Sequence, residues 1–235
     1  YVQPASSDNG VSLGAAMLAA RNDKGNFTKM NHCYYGNSFS NLDIKNALNE
    51  AKIKFKKFDN IEKEVAKHLA KGKIIGWFQG RSEVGARALG NRSILANPLI
   101  KNMKNKLNIE VKHRENWRPF CPSVNDYKYK EYFGDVPESD FMILAFKIRN
   151  KYKHTFPSAV HIDGTARPQI VKKKTNKRFF NLIQEFEKIT GHAILINTSF
   201  NVQGEPIVNK PSEAIRCFAG TGIDFLAIGN YLISK

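Results

Sequence analysis

Residues 74–98 read IIGWFQGRSEVGARALGNRSILANP. The first five are an unbroken apolar run, the pattern of a short strand buried on both faces. Gly80, Gly85 and Gly90 follow at its exit. Glycines there let a backbone turn sharply and approach a ligand closely, and successive N–H groups in such turns form a nest for an anion. Arg81, Arg87 and Arg92 are interleaved with them, each offering a planar fork of donors suited to phosphate or carboxylate. Residues 93–96 read as the returning strand. The alternative for each arginine is a structural ion pair, with Glu83 as the nearest acid in sequence.

Outward from this stretch, strands and helices mix without strict alternation, so the fold class is α/β with a mixed sheet. Helices are expected over residues 42–52, 61–71 and 101–108, and over 211–218 with proline in its first turn. The clearest covers 177–190, where Phe179, Phe180, Leu182, Ile183, Phe186 and Ile189 form one stripe and Gly191 closes it. Further strands are expected over 120–124, 141–148, 160–163, 192–196 and, as the last one, 223–228. Residues 1–22 read as a loop followed by a small-residue helix that Ser7 or Asp8 can cap and that should pack against something. Residues 23–41 read as a linker.

The chain has 235 residues, enough for a substantial core in one or two domains. No apolar run reaches the roughly 18–20 residues that cross a bilayer, so no membrane partner is expected. No basic segment followed by an apolar core marks a signal peptide, and the start at Tyr1 reads as that of a piece of a longer protein. Three scattered cysteines, Cys33, Cys121 and Cys217, give neither zinc spacing nor a disulfide framework, which fits a cytoplasmic setting. The net charge of +16 points to an anionic partner. Many lysines, Lys172, Lys173 and Lys174 among them, instead read as a solvated face.

Two more segments carry chemistry. VKHRENWRPF (111–120) places Lys112 and Arg114 two apart, on one face if the chain is extended, and Pro119 restrains Arg118. NTSFNVQGEP (197–206) follows an expected strand, and Ser199 and Asn201 alternate onto one face. Ser199 stands in no GxSxG elbow and has no evident base, so it reads as a positioning hydroxyl. Arg167 lies in a small polar turn, HIDGTARPQ (161–169). His161 and Asp163 there read as a structural pair.

KxRxxxRPF followed downstream by TSxNxxGxP resembles the YrdC-like pattern KxRxxxKPL then TSANxSGxP. Arg118 stands where that pattern has lysine, and Phe200 where it has alanine. More specifically, the motifs at 76–98, 111–124, 159–171 and 196–208, with the tail from Pro211, resemble the C-terminal half of the O-carbamoyltransferases of nodulation and antibiotic tailoring. The GPRALG common there is Gly85-Ala86-Arg87 onward here. The resemblance implies a YrdC-like twisted mixed sheet with flanking helices over residues 31–235. Over 1–30 it implies a short remnant of an actin-like ATPase-type domain, carried by Asp8-Asn9-Gly10 and Gly14-Ala15-Ala16.

It implies further that ATP, with Mg2+, and carbamoyl phosphate yield carbamoyl adenylate, and that an upstream transferase domain passes the carbamoyl group to a hydroxyl-bearing small molecule or oligosaccharide. Arg87, Lys112, Arg118 and Ser199 carry the catalytic expectation. Arg114, Arg167, Asn197 and Asn201 carry substrate and nucleotide binding. Asp8 would join an iron site only in a full-length protein, since alone it holds no metal. A basic RNA-binding module of the same fold is the alternative, but no basic helix with interleaved aromatics supports sequence reading, so nucleic acid is not the expected partner.

Overall fold

A computed structural model describes residues 2–22, 25 and 30–235. Its helices and strands run α1 (Val11–Asn22), α2 (Asn41–Glu50), β1 (Lys56–Lys57), α3 (Ile61–Ala70), β2 (Ile75–Phe78), β3 (Arg92–Ala96), α4 (Met103–Lys106), β4 (Cys121–Asn125), α5 (Asp126–Phe133), β5 (Phe146–Lys147), α6 (Asn150–Lys153), β6 (Thr165–Ala166), β7 (Gln169–Val171), α7 (Lys177–Thr190), β8 (Ile194–Ser199), α8 (Pro211–Ala219), β9 (Phe225–Ile228) and β10 (Tyr231–Ser234). Eight strands form one sheet in the order β1-β10-β9-β2-β3-β8-β4-β7, and β5 pairs with β6 apart from it. β2 runs parallel to β9, and β4 to β7. The other pairings are antiparallel, so the sheet is mixed, as expected.

Alternation along the strands builds a core on each face. Ile75, Trp77, Leu95, Leu195 and Ala227 meet Ile61, Val65 and Leu69 of α3 and Phe179, Ile183 and Phe186 of α7. Phe78, Ile94, Ala96, Ile196, Leu226 and Ile228 point the other way, toward Ile44 and Leu48 of α2 and Ala214 and Phe218 of α8. A 14-residue helix is marginal alone in water. In α7 five buried apolar side chains, worth about 1.5–3 kcal/mol each, decide the matter, and Gly191 at φ +79° ends the helix.

Several expectations are corrected. Residues 141–145 are not strand: the chain turns at Met142, φ +57°, and only Phe146–Lys147 pair. Residues 160–163 are a turn, closed by Gly164 N–H donating to the His161 carbonyl, and the pairing residues are Thr165–Ala166. Residues 223–228 do not hold the last strand, because β10 turns back antiparallel on β9. Ser7 makes no side-chain cap, and Asp8 opens a short 3-10 turn ahead of α1. Small residues do not pull α1 into the core: Val11, Met17 and Leu18 stay exposed. The actin-like assignment of this segment rests on sequence resemblance alone. Of the expected linker at 23–41, residues 23, 24 and 26–29 lie outside the described residues.

The 101–108 helix is also changed. α4 passes into a π-helical stretch, Leu107–Lys112, a rare conformation concentrated at functional sites. His113, at φ +49°, ends it in the left-handed region, a conformation that costs a residue with a side chain about 1–2 kcal/mol. Lys112 and Arg114 therefore do not share one face of an extended chain.

Candidate functional site

Glu83 organises the loop between β2 and β3. Its Oε1 accepts the backbone N–H groups of Leu89, Asn91 and Arg92. Burial pushes its carboxyl pKa up, and those backbone donors oppose the shift. At Gly85, φ +109°, a Cβ would stand 2.7 Å from the Pro4 carbonyl oxygen. At Gly90, φ +105°, it would stand 2.2 Å from Phe179 Cδ1. Both positions need glycine for close packing as well as for conformation.

The arginines of this loop divide. Arg92 is fully buried. Its guanidinium donates to the carbonyls of Gln79, Gly80, Asn91 and Asn37 and lies 3.7 Å from the Phe78 ring centroid. Burial pulls its pKa down to about 10, and Glu83 works against that shift. Arg81 donates to the carbonyls of Gly36 and Tyr35. Neither forms an ion pair with Glu83. Both tie the loop to the segment before α2.

Arg87 differs: among the described residues no hydrogen bond or ion pair engages it. It lines a cavity of about 120 Å3 with Arg114, Arg167, Asn197, Thr198, Ser199, Phe120, Cys121 and Met142. Burial lowers the Arg87 pKa first, and the Arg167 charge lowers it further. Arg167 Nη2 donates to Cys121 Sγ at 3.1 Å, while its buried Nε has no partner. Arg114 Nε donates to Asn108 Oδ1 at 2.7 Å, and its guanidinium sits 4.8 Å from the Phe120 ring centroid. Burial, then repulsion from Arg118, lowers its pKa. Three guanidiniums thus face one small hollow whose lining holds no carboxylate.

Strand β8 supplies the floor. Leu195 belongs to the core beneath α3 and α7, and Asn197 and Ser199 follow at the strand's two-residue period. Asn197 pairs across the sheet with Leu95 of β3 and Cys121 of β4. Its Nδ2 donates to Ser123 Oγ at 3.0 Å and Gln169 Oε1 at 3.1 Å.

Lys112 stands behind Ser199. The residue is only 3% exposed, and the three N–H donors of Nζ are shared among the Ser199 carbonyl, Ser199 Oγ at 3.2 Å, the Asn201 carbonyl at 2.9 Å and Asn201 Oδ1 at 2.8 Å. Ser199 Oγ in turn donates to Asn201 Oδ1 at 2.6 Å, and Asn201 Nδ2 to the Glu205 carbonyl. Burial, with repulsion from Arg114, lowers the lysine pKa to about 7. The oxygens around Nζ favour the ammonium. Lys112 and Asn201 fix the turn that presents Ser199.

Arg118 is not among the lining residues. Its Nε lies 2.9 Å from Glu115 Oε2 with the side chain 40% exposed, beside the exposed ring of Trp117. Asp8 is exposed, and among the described residues no three His, Cys, Asp or Glu side chains gather as metal ligands. His161 Nδ1 meets Thr165 Oγ1, and Asp163 accepts from Thr165, so that pair is a turn device. Ser123, Cys121, Met142 and Gln169 were not singled out from the sequence. The only available signal was a polar residue, Gln169, inside the apolar run after Arg167.

The donors suit an anion of small size. The orphaned Arg167 Nε and Asn197 Oδ1 add one donor and one acceptor. With no carboxylate in the lining, Mg2+ here would arrive on the phosphates it neutralises, as is usual for that ion. Among the described residues none gather to fit an iron site.

Comparison with known proteins bears on the family and the fold. The chain is 39% identical over its full length to the nodulation protein NolNO of Sinorhizobium fredii, covering 36% of that protein. It is 30% identical over 98% of its length to the 3'-hydroxymethylcephem-O-carbamoyltransferase of Amycolatopsis lactamdurans, covering 43% of that protein. It therefore spans about two-fifths of the curated relatives it matches. Full-length HypF, solved in a phosphate- and nucleotide-bound form, superposes on 73% of the chain with a TM-score of 0.53 at 19% identity, using 25% of HypF. Sua5 of P. abyssi, complexed with L-threonine, superposes on 72% with a TM-score of 0.53 at 14% identity, using 46% of Sua5. These two likenesses show the YrdC-like fold. The Carbamoyltransferase C-terminus family matches residues 66–235, and the chain belongs to that family.

Proposed function

We propose that this chain forms the carbamoyl adenylate used by an O-carbamoyltransferase. The observation that carries the reading is the convergence of Arg87, Arg114 and Arg167 with Ser199 on one cavity without an acid. Such a site neutralises two anions that repel each other and holds them in reacting geometry.

In the proposed reaction, water takes the phosphoryl group of carbamoyl phosphate, releasing inorganic phosphate and carbamate. A carbamate oxygen then forms a bond to the α-phosphorus of ATP. The bond from that phosphorus to the bridging oxygen breaks, and pyrophosphate leaves with the electron pair. No covalent bond to the protein is needed. Arg87 and Arg167 hold the carbamoyl phosphate side, Arg114 the nucleotide phosphates, and Ser199, turning its hydroxyl from Asn201 Oδ1, donates to a phosphoryl oxygen. Lys112 keeps Ser199 and Asn201 in register and adds charge from behind, and Arg118 serves as an outer anchor for the polyphosphate. Mg2+ on the phosphates would neutralise the leaving pyrophosphate. On this reading residues 1–30 are the C-terminal remnant of an upstream transferase domain with its linker, a substrate hydroxyl accepts the carbamoyl group in that domain, and the setting is cytoplasmic.

The test is ATP–pyrophosphate exchange that requires carbamoyl phosphate. The expected result is exchange by the chain and a fall of about a hundredfold in Arg87→Ala, on the scale of losing one charged donor at a developing oxyanion. A folded protein without exchange, or exchange that Arg87→Ala leaves intact, overturns the reading.

A further inference from the structure

Asn197 is 1% exposed, yet its Oδ1 has no hydrogen-bond partner. Leaving a buried acceptor unmet costs about 1–3 kcal/mol, so the orientation that leaves it unmet needs a cause. The cause is a chain of donors that runs one way. The Leu89 carbonyl accepts Gln169 Nε2 at 2.8 Å, which fixes the Gln169 amide with Oε1 turned toward Asn197. That Oε1 accepts Ser123 Oγ at 2.6 Å and Asn197 Nδ2 at 3.1 Å. Ser123 Oγ, having donated its proton, accepts from Asn197 Nδ2 at 3.0 Å. Flipping the Asn197 amide would set its oxygen against Gln169 Oε1, which cannot donate, and would draw the Ser123 hydroxyl away from that same oxygen. Flipping Gln169 as well would set oxygen against the Leu89 carbonyl. Oδ1 is therefore held as an acceptor by residues that lie on β4, β7 and the loop before β3.

Asn197 lines the arginine cavity, and so does Arg167, whose buried Nε is an unpaired donor. A ligand that satisfies both atoms offers one N–H donor and one acceptor oxygen, and the cations lining the cavity favour one that also bears negative charge. We propose that Asn197 Oδ1 reads the amide nitrogen of the carbamoyl group while Arg167 Nε binds its carbonyl oxygen, so that Asn197 selects carbamoyl phosphate against acyl phosphates. This rests on the reading of the cavity as a carbamoyl phosphate site. Acetyl phosphate has the same phosphate and nearly the same shape, but it presents a methyl group to Oδ1.

A site built to hydrogen-bond a substrate N–H rejects the analogue lacking it, because the buried partner is then left unpaired. Binding of carbamoyl phosphate, acetyl phosphate and inorganic phosphate is measured by titration calorimetry on the chain with ATP present. The expected result is carbamoyl phosphate held at least about tenfold more tightly than acetyl phosphate, the scale of one unmet buried acceptor. Asn197→Ala should bring carbamoyl phosphate down to the acetyl phosphate level, with inorganic phosphate held as before.

Equal affinity of the unsubstituted chain for the two acyl-type phosphates overturns the role of Asn197 while leaving the carbamoyl phosphate site standing. Discrimination that survives in Asn197→Ala does the same. That comparison of two ligands on the unsubstituted chain decides the matter even if the variant fails to fold. Absence of binding by carbamoyl phosphate and inorganic phosphate alike removes the functional reading itself, and this inference with it.

Discussion

Arg87 and Arg92 lie five residues apart, one in the glycine-rich loop and one where that loop enters β3, yet they occupy opposite kinds of environment. Arg92 is enclosed, its guanidinium donating to four different carbonyls. Arg87 stands at a cavity wall with no protein partner among the described residues and with Arg167 repelling it. The difference teaches that a cation's role is set by what the rest of the fold brings to it. Arg92 meets carbonyls from its own hairpin and from Asn37, which arrives across more than fifty residues of chain. Arg87 shares its cavity with two other guanidiniums and no carboxylate, an arrangement that becomes favourable when an anion enters.

The largest effect should come from Arg92→Met. It removes the donors to four carbonyls and the positive charge that opposes the rise in the Glu83 pKa, so a loss of roughly 3–5 kcal/mol is expected, the scale of several buried acceptors left unmet. Urea denaturation measures it. A loss below about 1 kcal/mol, the range of ordinary surface changes, would break the contrast between the two arginines.

Arg87→Ala should behave in the opposite sense. Stability stays within about 0.5 kcal/mol or rises, because no contact is lost and repulsion with Arg167 is relieved. Affinity for phosphate-bearing ligands falls by about 1.5–3 kcal/mol, the net worth of a charged hydrogen bond. Thermal unfolding and phosphate titration of the same sample check both halves. A variant that loses stability and keeps affinity would reverse the assignment.

The same contrast explains what was legible in the sequence. The amphipathic stripe of α7, the apolar run of β2 and the β3 return are local patterns, and the structure has them close to where the pattern put them. Short pairings were not legible. β6 and β5 are two residues each, and β10 is a strand because β9 lies beside it. Arg87, Arg114, Arg167 and Ser199 stood out by their glycine-rich and polar surroundings, and Asn197 through the resemblance to the O-carbamoyltransferases; one cavity brings them together. What spacing could not supply was direction. The π-helical turn and left-handed His113 send Lys112 beneath Ser199 and leave Arg114 at the cavity. The Asn197 orientation depends on Leu89 and Gln169, each remote in sequence.

Lys112 sharpens the comparison through pH. Its folded pKa is lowered to about 7 from 10.5 by burial and by Arg114. Between these values the unfolded chain binds the extra proton, so stability rises with pH across about 7 to 10.5 and is lowest in this contribution below 7. Anion binding should run the other way, weakening as the ammonium loses its proton above about 7. Cys217, whose pKa burial pushes up to about 11, also feels the Lys112 charge, and Lys112→Met isolates the lysine by flattening both slopes. Parallel trends of stability and phosphate affinity between pH 6 and 9 would contradict a single buried lysine as their source.

Arg118 should give the smallest effect. Its pair with Glu115 is solvent-exposed on both sides, and such pairs are worth about 0–1 kcal/mol. Arg118→Ala should therefore leave urea unfolding nearly unchanged. Its effect on nucleotide affinity follows from geometry: Arg118 flanks Arg114 and lowers the pKa of that guanidinium, but it is outside the cavity lining. A loss of at most about fivefold is expected for a cation acting at the rim, matching that upper energy. Side chains at binding sites commonly change rotamer on complex formation, and Arg118 can swing inward only by releasing Glu115. If it does so, Arg118→Ala approaches the Arg87→Ala loss, and Glu115→Gln, which frees the arginine beforehand, tightens nucleotide binding. Arg118 would then be a cation stored on a surface acid until the polyphosphate arrives, a third state between the enclosed Arg92 and the waiting Arg87.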